Sequence, residues 1–243
     1  MSDTIISIKD ASIRFNLAMQ KDWNLKDYVE KLFHKEKRFQ EFFALKHIDL
    51  QIKRGESWGF VGRNGSGKST LLKMITGILR PYTGEVAVNG TVAPLLELGA
   101  GFDNDLTGRE NIMMNGLILG MTKKQVMDYF DDIVEFSELE QFLDVPVKKY
   151  SSGMRARLGF AVATAARADI LIADEVLGTG DRKFQQKCEA RMANLLSGGT
   201  TLLFVSHSAP SVRRVCQKAM WLDHGEIQMV GPTEDVLTAY ENT

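Results

Sequence analysis

Residues 62–69, Gly-Arg-Asn-Gly-Ser-Gly-Lys-Ser, fit the pattern GxxxxGK[ST], and no other feature constrains the chain as tightly. The apolar stretch Trp58-Gly59-Phe60-Val61 runs straight into them, and a helical pattern follows from Ser69 to Leu79. Glycine reaches backbone conformations closed to other residues, so Gly62, Gly65 and Gly67 let the loop curl until successive N–H groups point inward. A curled loop that ends in a helix N-terminus is an anion cradle, because unpaired N–H groups and the helix dipole both favour negative charge. Lys68 suits the β- and γ-phosphates of a nucleoside triphosphate, and the Ser69 hydroxyl suits Mg²⁺. Asn64, Ser66 and Thr70 complete the set of loop residues expected at the nucleotide.

A strand–loop–helix unit of this kind belongs in an α/β domain with a largely parallel sheet, and the remaining pattern agrees. Ile-Ile-Ser-Ile-Lys-Asp-Ala-Ser-Ile-Arg-Phe (5–15) and Ile-Asp-Leu-Gln-Ile (48–52) alternate like strands, whereas 170–174 and 200–206 are short apolar runs. Helices are expected over 182–197 and 209–217, and residues 219–230 read as a hairpin turning at His224-Gly225, an antiparallel edge. Residues 107–167 read almost wholly as helix. That is too long for one crossover, so a helical subdomain over 98–167, inserted between two core strands, is expected. Residues 16–44 carry Leu25, Tyr28, Val29, Leu32 and Phe33 at helical spacing, which predicts a helical insertion near the N-terminus. Residues 1–243 are otherwise expected to form a single domain.

Composition removes several function classes. With 30 basic and 31 acidic residues the net charge is -1, so no global basic field exists and no nucleic-acid partner is expected. No apolar run approaches the roughly 18 residues of a spanning helix, so a membrane role is expected to be peripheral or through a partner. Cys188 and Cys216 form no CxxC pair, and the four histidines lack metal-ligand spacing.

Two further sites carry chemistry. The strand Ile170–Ala173 ends in Asp174-Glu175. After a phosphate loop, the first carboxylate suits Mg²⁺ and the second can polarise an attacking water. Tyr150-Ser151-Ser152-Gly153-Met154 opens a helix just before that strand, and its small residues and hydroxyls make a second anion site at a helix N-terminus. One chain with one nucleotide has no evident use for it, whereas two chains packed head to tail do. An ordinary serine cap remains open as the plain alternative.

The order of these motifs, with His207 after the strand Thr200–Ser206, resembles the nucleotide-binding domains of ABC transporters over nearly the whole chain. The implied fold is a P-loop NTPase with an inserted helical subdomain and an antiparallel β edge. The resemblance implies an ATPase using ATP and Mg²⁺, with Glu175 as general base and His207 sensing the γ-phosphate. Ser151 and Gly153 would contact ATP across a head-to-tail homodimer, and Phe15 would stack on adenine. Glu97 stands where the family has a glutamine joining core and helical subdomain, and is assigned to catalysis and to the metal. Asp174 and Ser69 are the other metal ligands implied. The variant signature, Glu97 and the segment 176–181, which puts Asp181 at the dimer interface, are similar to the polysaccharide, O-antigen and teichoic-acid exporter ATPases. That group implies a polytopic permease partner, a lipid-linked polymer as cargo, and a place on the cytoplasmic face of the membrane. No carbohydrate-binding extension is expected so soon after the core. A soluble ABC ATPase acting on ribosome or DNA, and a small-molecule kinase, are the alternatives.

Overall fold

The computed structural model describes residues 3–18, 39–95, 99, 101–174, 181–206 and 208–243. Its centre is a mainly parallel sheet in which β3 and β6 are buried from end to end and β7 nearly so, as strands covered on both faces are. β1 (Thr4–Ala18) and β2 (Phe39–Lys53) pair antiparallel, and β4 (Thr83–Val88) lies on the far side of β1. The central sheet contains β3 (Ser57–Val61), β5 (Val92–Pro94), β6 (Ile170–Ala173), β7 (Thr201–Val205), β8 (Lys218–Asp223) and β9 (Glu226–Pro232). Their order is β5-β6-β7-β3-β8-β9, with β9 alone antiparallel to its neighbour. The antiparallel edge is therefore the β8–β9 hairpin. His224 and Gly225 at its tip have φ of 45° and 80°, which opens the tight turn that the sequence places there.

Two apolar clusters flank this sheet. One fills the space between the two sheets, where Ile6, Ile13, Leu45, Ile52, Trp58 and Phe60 meet Leu71 and Met74 of α1 (Lys68–Ile75). The other covers the opposite face and is built from α2 (Gly108–Ile118), α3 (Lys123–Asp128), α4 (Phe130–Ser137), α5 (Ser152–Ala165) and α6 (Arg182–Ser197). Threonine starts both α2 and α3: Thr107 and Thr122 accept the N–H of Glu110 and Gln125, whose side chains accept the threonine N–H in return. Phe136, Phe160 and Phe184 pack ring to ring between α4, α5 and α6. Because Ala93 and Leu171 of the sheet belong to the same cluster as Ile112 and Ile133, the helices between β5 and β6 share their core with the sheet. The chain closes with α7 (Ala209–Val215) and α8 (Thr233–Glu241).

The N-terminal expectation needs correction. Residues 16–18 and 39–44, predicted as helix within 16–44, are strand: β1 and β2 continue past the third strand as a two-stranded ribbon, with Arg14 opposite Phe43 and Phe15 opposite Phe42. The register shifts between Ile13 and Arg14, which leaves Ala44 as an extra residue on β2. That bulge breaks the alternation by which a strand is recognised in sequence. The apolar stripe at Leu25–Phe33 lies outside the described residues.

Candidate nucleotide-binding site

The residues of the phosphate loop are forced into their positions by backbone contacts. Gly62 has φ 148°, and a Cβ there would fall 2.1 Å from the carbonyl oxygen of Leu222 in β8. Gly67 has φ 110°, with Ala44 O 2.8 Å from where its Cβ would be. Neither position admits a side chain. Gly65 also has a positive φ of 80°, but nothing lies within 4 Å of its Cβ position, so it is there for conformation and for room. Gly67 caps α1 with no side-chain hydrogen bond, so the first N–H groups of that helix have no side-chain partner at their cap. Lys68 is only 6% exposed, and its Nζ donates to Gly62 O (2.6 Å) and Arg63 O (3.0 Å). Ser66 Oγ is buried without a hydrogen-bond partner among the described residues. A buried orphan hydroxyl, an uncapped helix N-terminus and a buried ammonium together fit a bound polyphosphate.

The loop forms one wall of a cavity of about 650 Å³. Asn64 through Thr70 line it, and Asp174, at the end of β6, joins them half-buried. Val205 closes it from the end of β7, so the carboxyl ends of β3, β6 and β7 converge there, as ligand sites in open α/β sheets do. Phe15 lines the same cavity from β1, 37% exposed. The sequence-predicted Asn64, Gly65, Ser66, Gly67, Lys68, Ser69, Thr70, Asp174 and Phe15 are thus brought together, with Gly62 anchoring the loop behind them. Glu97, Glu175 and His207 lie outside the described residues. Ser151 and Gly153 are elsewhere: Ser151 caps α5, its Oγ accepting the Met154 N–H at 3.2 Å, and it does not line the cavity. Space around Gly153 is open, with Ser151 Oγ the nearest contact of a Cβ at 3.8 Å. Asp181 caps α6. The N–H of Phe184, and the nearby Arg157 with which it pairs, hold its carboxyl below the ordinary aspartate range.

Residues 45–178 match the ABC transporter family. The chain is also 38% identical over 244 residues to the O-antigen export system ATP-binding protein RfbB of Klebsiella pneumoniae, covering 98% of each. The chain belongs to the ABC transporter family. Another protein of the same name, from Myxococcus xanthus, is 50% identical over 197 residues, which are 81% of this chain and 45% of that protein. The teichoic acids export ATP-binding protein TagH of Enterococcus faecalis is 46% identical over 199 residues, 82% of this chain and 44% of the relative. The chain therefore spans less than half the length of these two relatives. A solved ATP-binding subunit of an ABC transporter superposes with a TM-score of 0.77 at 20% identity, covering 98% of this chain and 93% of the other. A dimeric post-hydrolysis cassette bound to ADP and phosphate gives 0.72 at 21%, covering 94% and 98%. At such identities these structures speak for the fold alone.

In this ABC ATPase domain two contributors to the site have no local signal in the sequence. Phe42 lines the cavity beside Phe15, but next to Phe43 it reads as one of two adjacent apolar residues. Gly225 has its N–H on Ser66 O at 2.9 Å and its carbonyl on Lys46 N–H at 2.8 Å, so the β8–β9 turn ties the phosphate loop to β2 from far along the chain. A Cβ at Gly225 would fall 2.6 Å from Ala44 O, at φ 80°. Gly225→Ala is expected to lower stability by about 1–3 kcal/mol through this strain, read as a lower urea midpoint at unchanged m-value.

Proposed function

We propose that this chain is the ATP-hydrolysing subunit of an exporter that moves a lipid-linked cell-surface polysaccharide, such as O-antigen, capsule or teichoic acid, through a separate membrane-spanning permease. The observation that carries this reading is the near full-length likeness to an O-antigen export ATP-binding protein, joined to an intact phosphate cradle. In this scheme the loop N–H groups and Lys68 hold the ATP phosphates and neutralise charge that builds as the γ-phosphoryl leaves. Ser69 and Asp174, which share the cavity, would hold Mg²⁺ together with Glu97, and the ion supplies further charge neutralisation when bound. Glu175, the residue after Asp174, takes a proton from the attacking water, and His207 contacts the γ-phosphate.

Ser151 and Gly153 act in trans. The α5 N-terminus presents small residues away from the chain's own cavity, which suits the γ-phosphate of a second copy packed head to tail. Asp181 and its Arg157 partner lie at that same contact. Among the described residues no helix is long and apolar enough to cross a membrane. In this reading the membrane-spanning path belongs to the permease, with this chain on its cytoplasmic face.

Two experiments test the reading. Loss of this chain in its source cell should strip the polymer from the surface and leave lipid-linked polymer inside. Wild-type protein should restore display and Glu175→Gln should not; normal display without the chain would refute the proposal. For the shared site, mixing Lys68→Ala chains with Ser151→Arg chains is expected to restore at most one working site per heterodimer. ATPase activity of Ser151→Arg alone at the wild-type rate would remove Ser151 from the site.

A further inference from the structure

The phosphate loop accounts for only part of the lining of the 650 Å³ cavity, and two aromatic side chains contribute to the rest. Phe15 and Phe42 are Cα partners on antiparallel strands, so their side chains leave the β1–β2 ribbon on the same face. Both line the cavity, at 37% and 50% exposure. Large aromatic rings left open to water inside a concave site are unusual unless a ligand covers them.

The ribbon that carries them is held in place from behind. Pairing with β4 ends at Ser12 opposite Thr83, and beyond that point only two strands remain. On the reverse face the Arg14 guanidinium lies 3.8 Å over the Tyr82 ring and pairs with Glu41 at 2.8 Å, while Phe43 meets the edge of Tyr82 with ring centroids 6.4 Å apart. The bulge at Ala44 then fixes the ribbon against the loop, because the Ala44 carbonyl packs on both Gly67 and Gly225. Only Phe43 separates Phe42 from that anchor point. Its ring is therefore aimed by the same backbone contact that sets the phosphate loop.

We propose that Phe42 is a second base-binding residue, forming with Phe15 a two-ring platform on which the purine of the nucleotide lies. The proposal rests on the nucleotide reading above and adds to it a residue from the opposite strand. Stacking uses the π-face that every base offers, so it needs no polar partner, and Ala44 and Val205 alongside supply none from their side chains. The phosphates bind independently, through the loop and Lys68.

The test compares two probes, ATP and inorganic tripolyphosphate, by isothermal titration on the full chain with circular dichroism as a fold check. Phe42→Ala is expected to weaken ATP by about 5- to 140-fold, the equivalent of about 1–3 kcal/mol at 1.4 kcal/mol per tenfold, and to leave tripolyphosphate within twofold of wild type. Phe42→Leu, which keeps apolar bulk but no π-face, should weaken ATP by more than Phe42→Trp, which should retain binding. Equal weakening of both probes would overturn the platform, since Phe42 would then act through loop packing. Unchanged ATP binding by both Phe42→Ala and Phe42→Leu would overturn it too. Failure of wild-type protein to bind either probe would instead bring down the nucleotide reading, and the platform with it.

Discussion

Glu175→Gln is expected to bind ATP as wild type does and to lose about 10²–10⁴-fold in turnover, the usual contribution of a positioned general base. The argument runs from the neighbouring residue. Asp174 directly follows β6 and lines the cavity with the phosphate loop, and the proposed base is the next residue in the chain. Glutamine keeps the size and one acceptor oxygen of glutamate but cannot take up a proton at neutral pH, so positioning survives and the proton transfer does not. Binding is read by titration and turnover by phosphate release at saturating ATP, which separates the two. A stalled, ATP-loaded protein should also accumulate as a dimer on size exclusion if each nucleotide is shared between two chains. Phosphate release by Glu175→Gln within a factor of three of wild type would take this residue out of the mechanism.

The parts of the fold that were legible in the sequence are those written in short-range pattern. The phosphate loop is a contiguous motif whose glycines stand where a Cβ would strike backbone at Gly62 and Gly67. β6 and β7 are buried apolar runs of strand length, and α6 begins and ends where its aspartate cap and Gly198 place it. What escaped the sequence depends on contacts between distant segments. The Ala44 bulge exists because its carbonyl wedges against Gly67 and Gly225, and nothing local announces it. Once that bulge interrupts the alternation, Phe42, Phe43 and Ala44 no longer read as strand, and a helical period from the neighbouring stretch overruns them. The exposed position of Phe42 follows from that same irregularity.

The α5 N-terminus illustrates a different limit. Its serine does what an N-cap serine does in any helix, accepting the Met154 N–H, so within one chain the plain reading is fully satisfied. The trans role proposed for it would need a second copy, and a single chain carries that information only as a run of small residues at the helix start. Arg157 on the same helix pairs with Glu138 at 2.9 Å and with Asp181, and Lys187 reaches Glu138 at 2.9 Å. This small ionic cluster ties the end of α4 to α5 and to α6, linking the proposed trans-acting helix to the Asp181 cap.

Lys68→Ala is expected to abolish most of the stabilisation that ATP confers on the folded chain. A ligand that binds only the native state at 100 times its dissociation constant adds about 2.7 kcal/mol, and in a domain of this size each kcal/mol raises Tm by roughly 2–4 °C. Wild-type protein should therefore gain about 5–10 °C when ATP is added at that excess, with EDTA present to prevent turnover. Lys68 sits buried at the cavity wall with its ammonium held by the Gly62 and Arg63 carbonyls, so it meets the phosphates already oriented and already stripped of water. Alanine removes that charge from the one place where a polyphosphate most requires it. The variant's own stability also changes, since two loop carbonyls lose their donor, and for that reason the quantity to compare is the ATP-induced shift within each protein. A shift in Lys68→Ala below about 2 °C at the same ATP concentration is the expected result. Equal shifts in the two proteins would mean that the nucleotide is held without the lysine, and the phosphate cradle would have to be sought elsewhere on the chain.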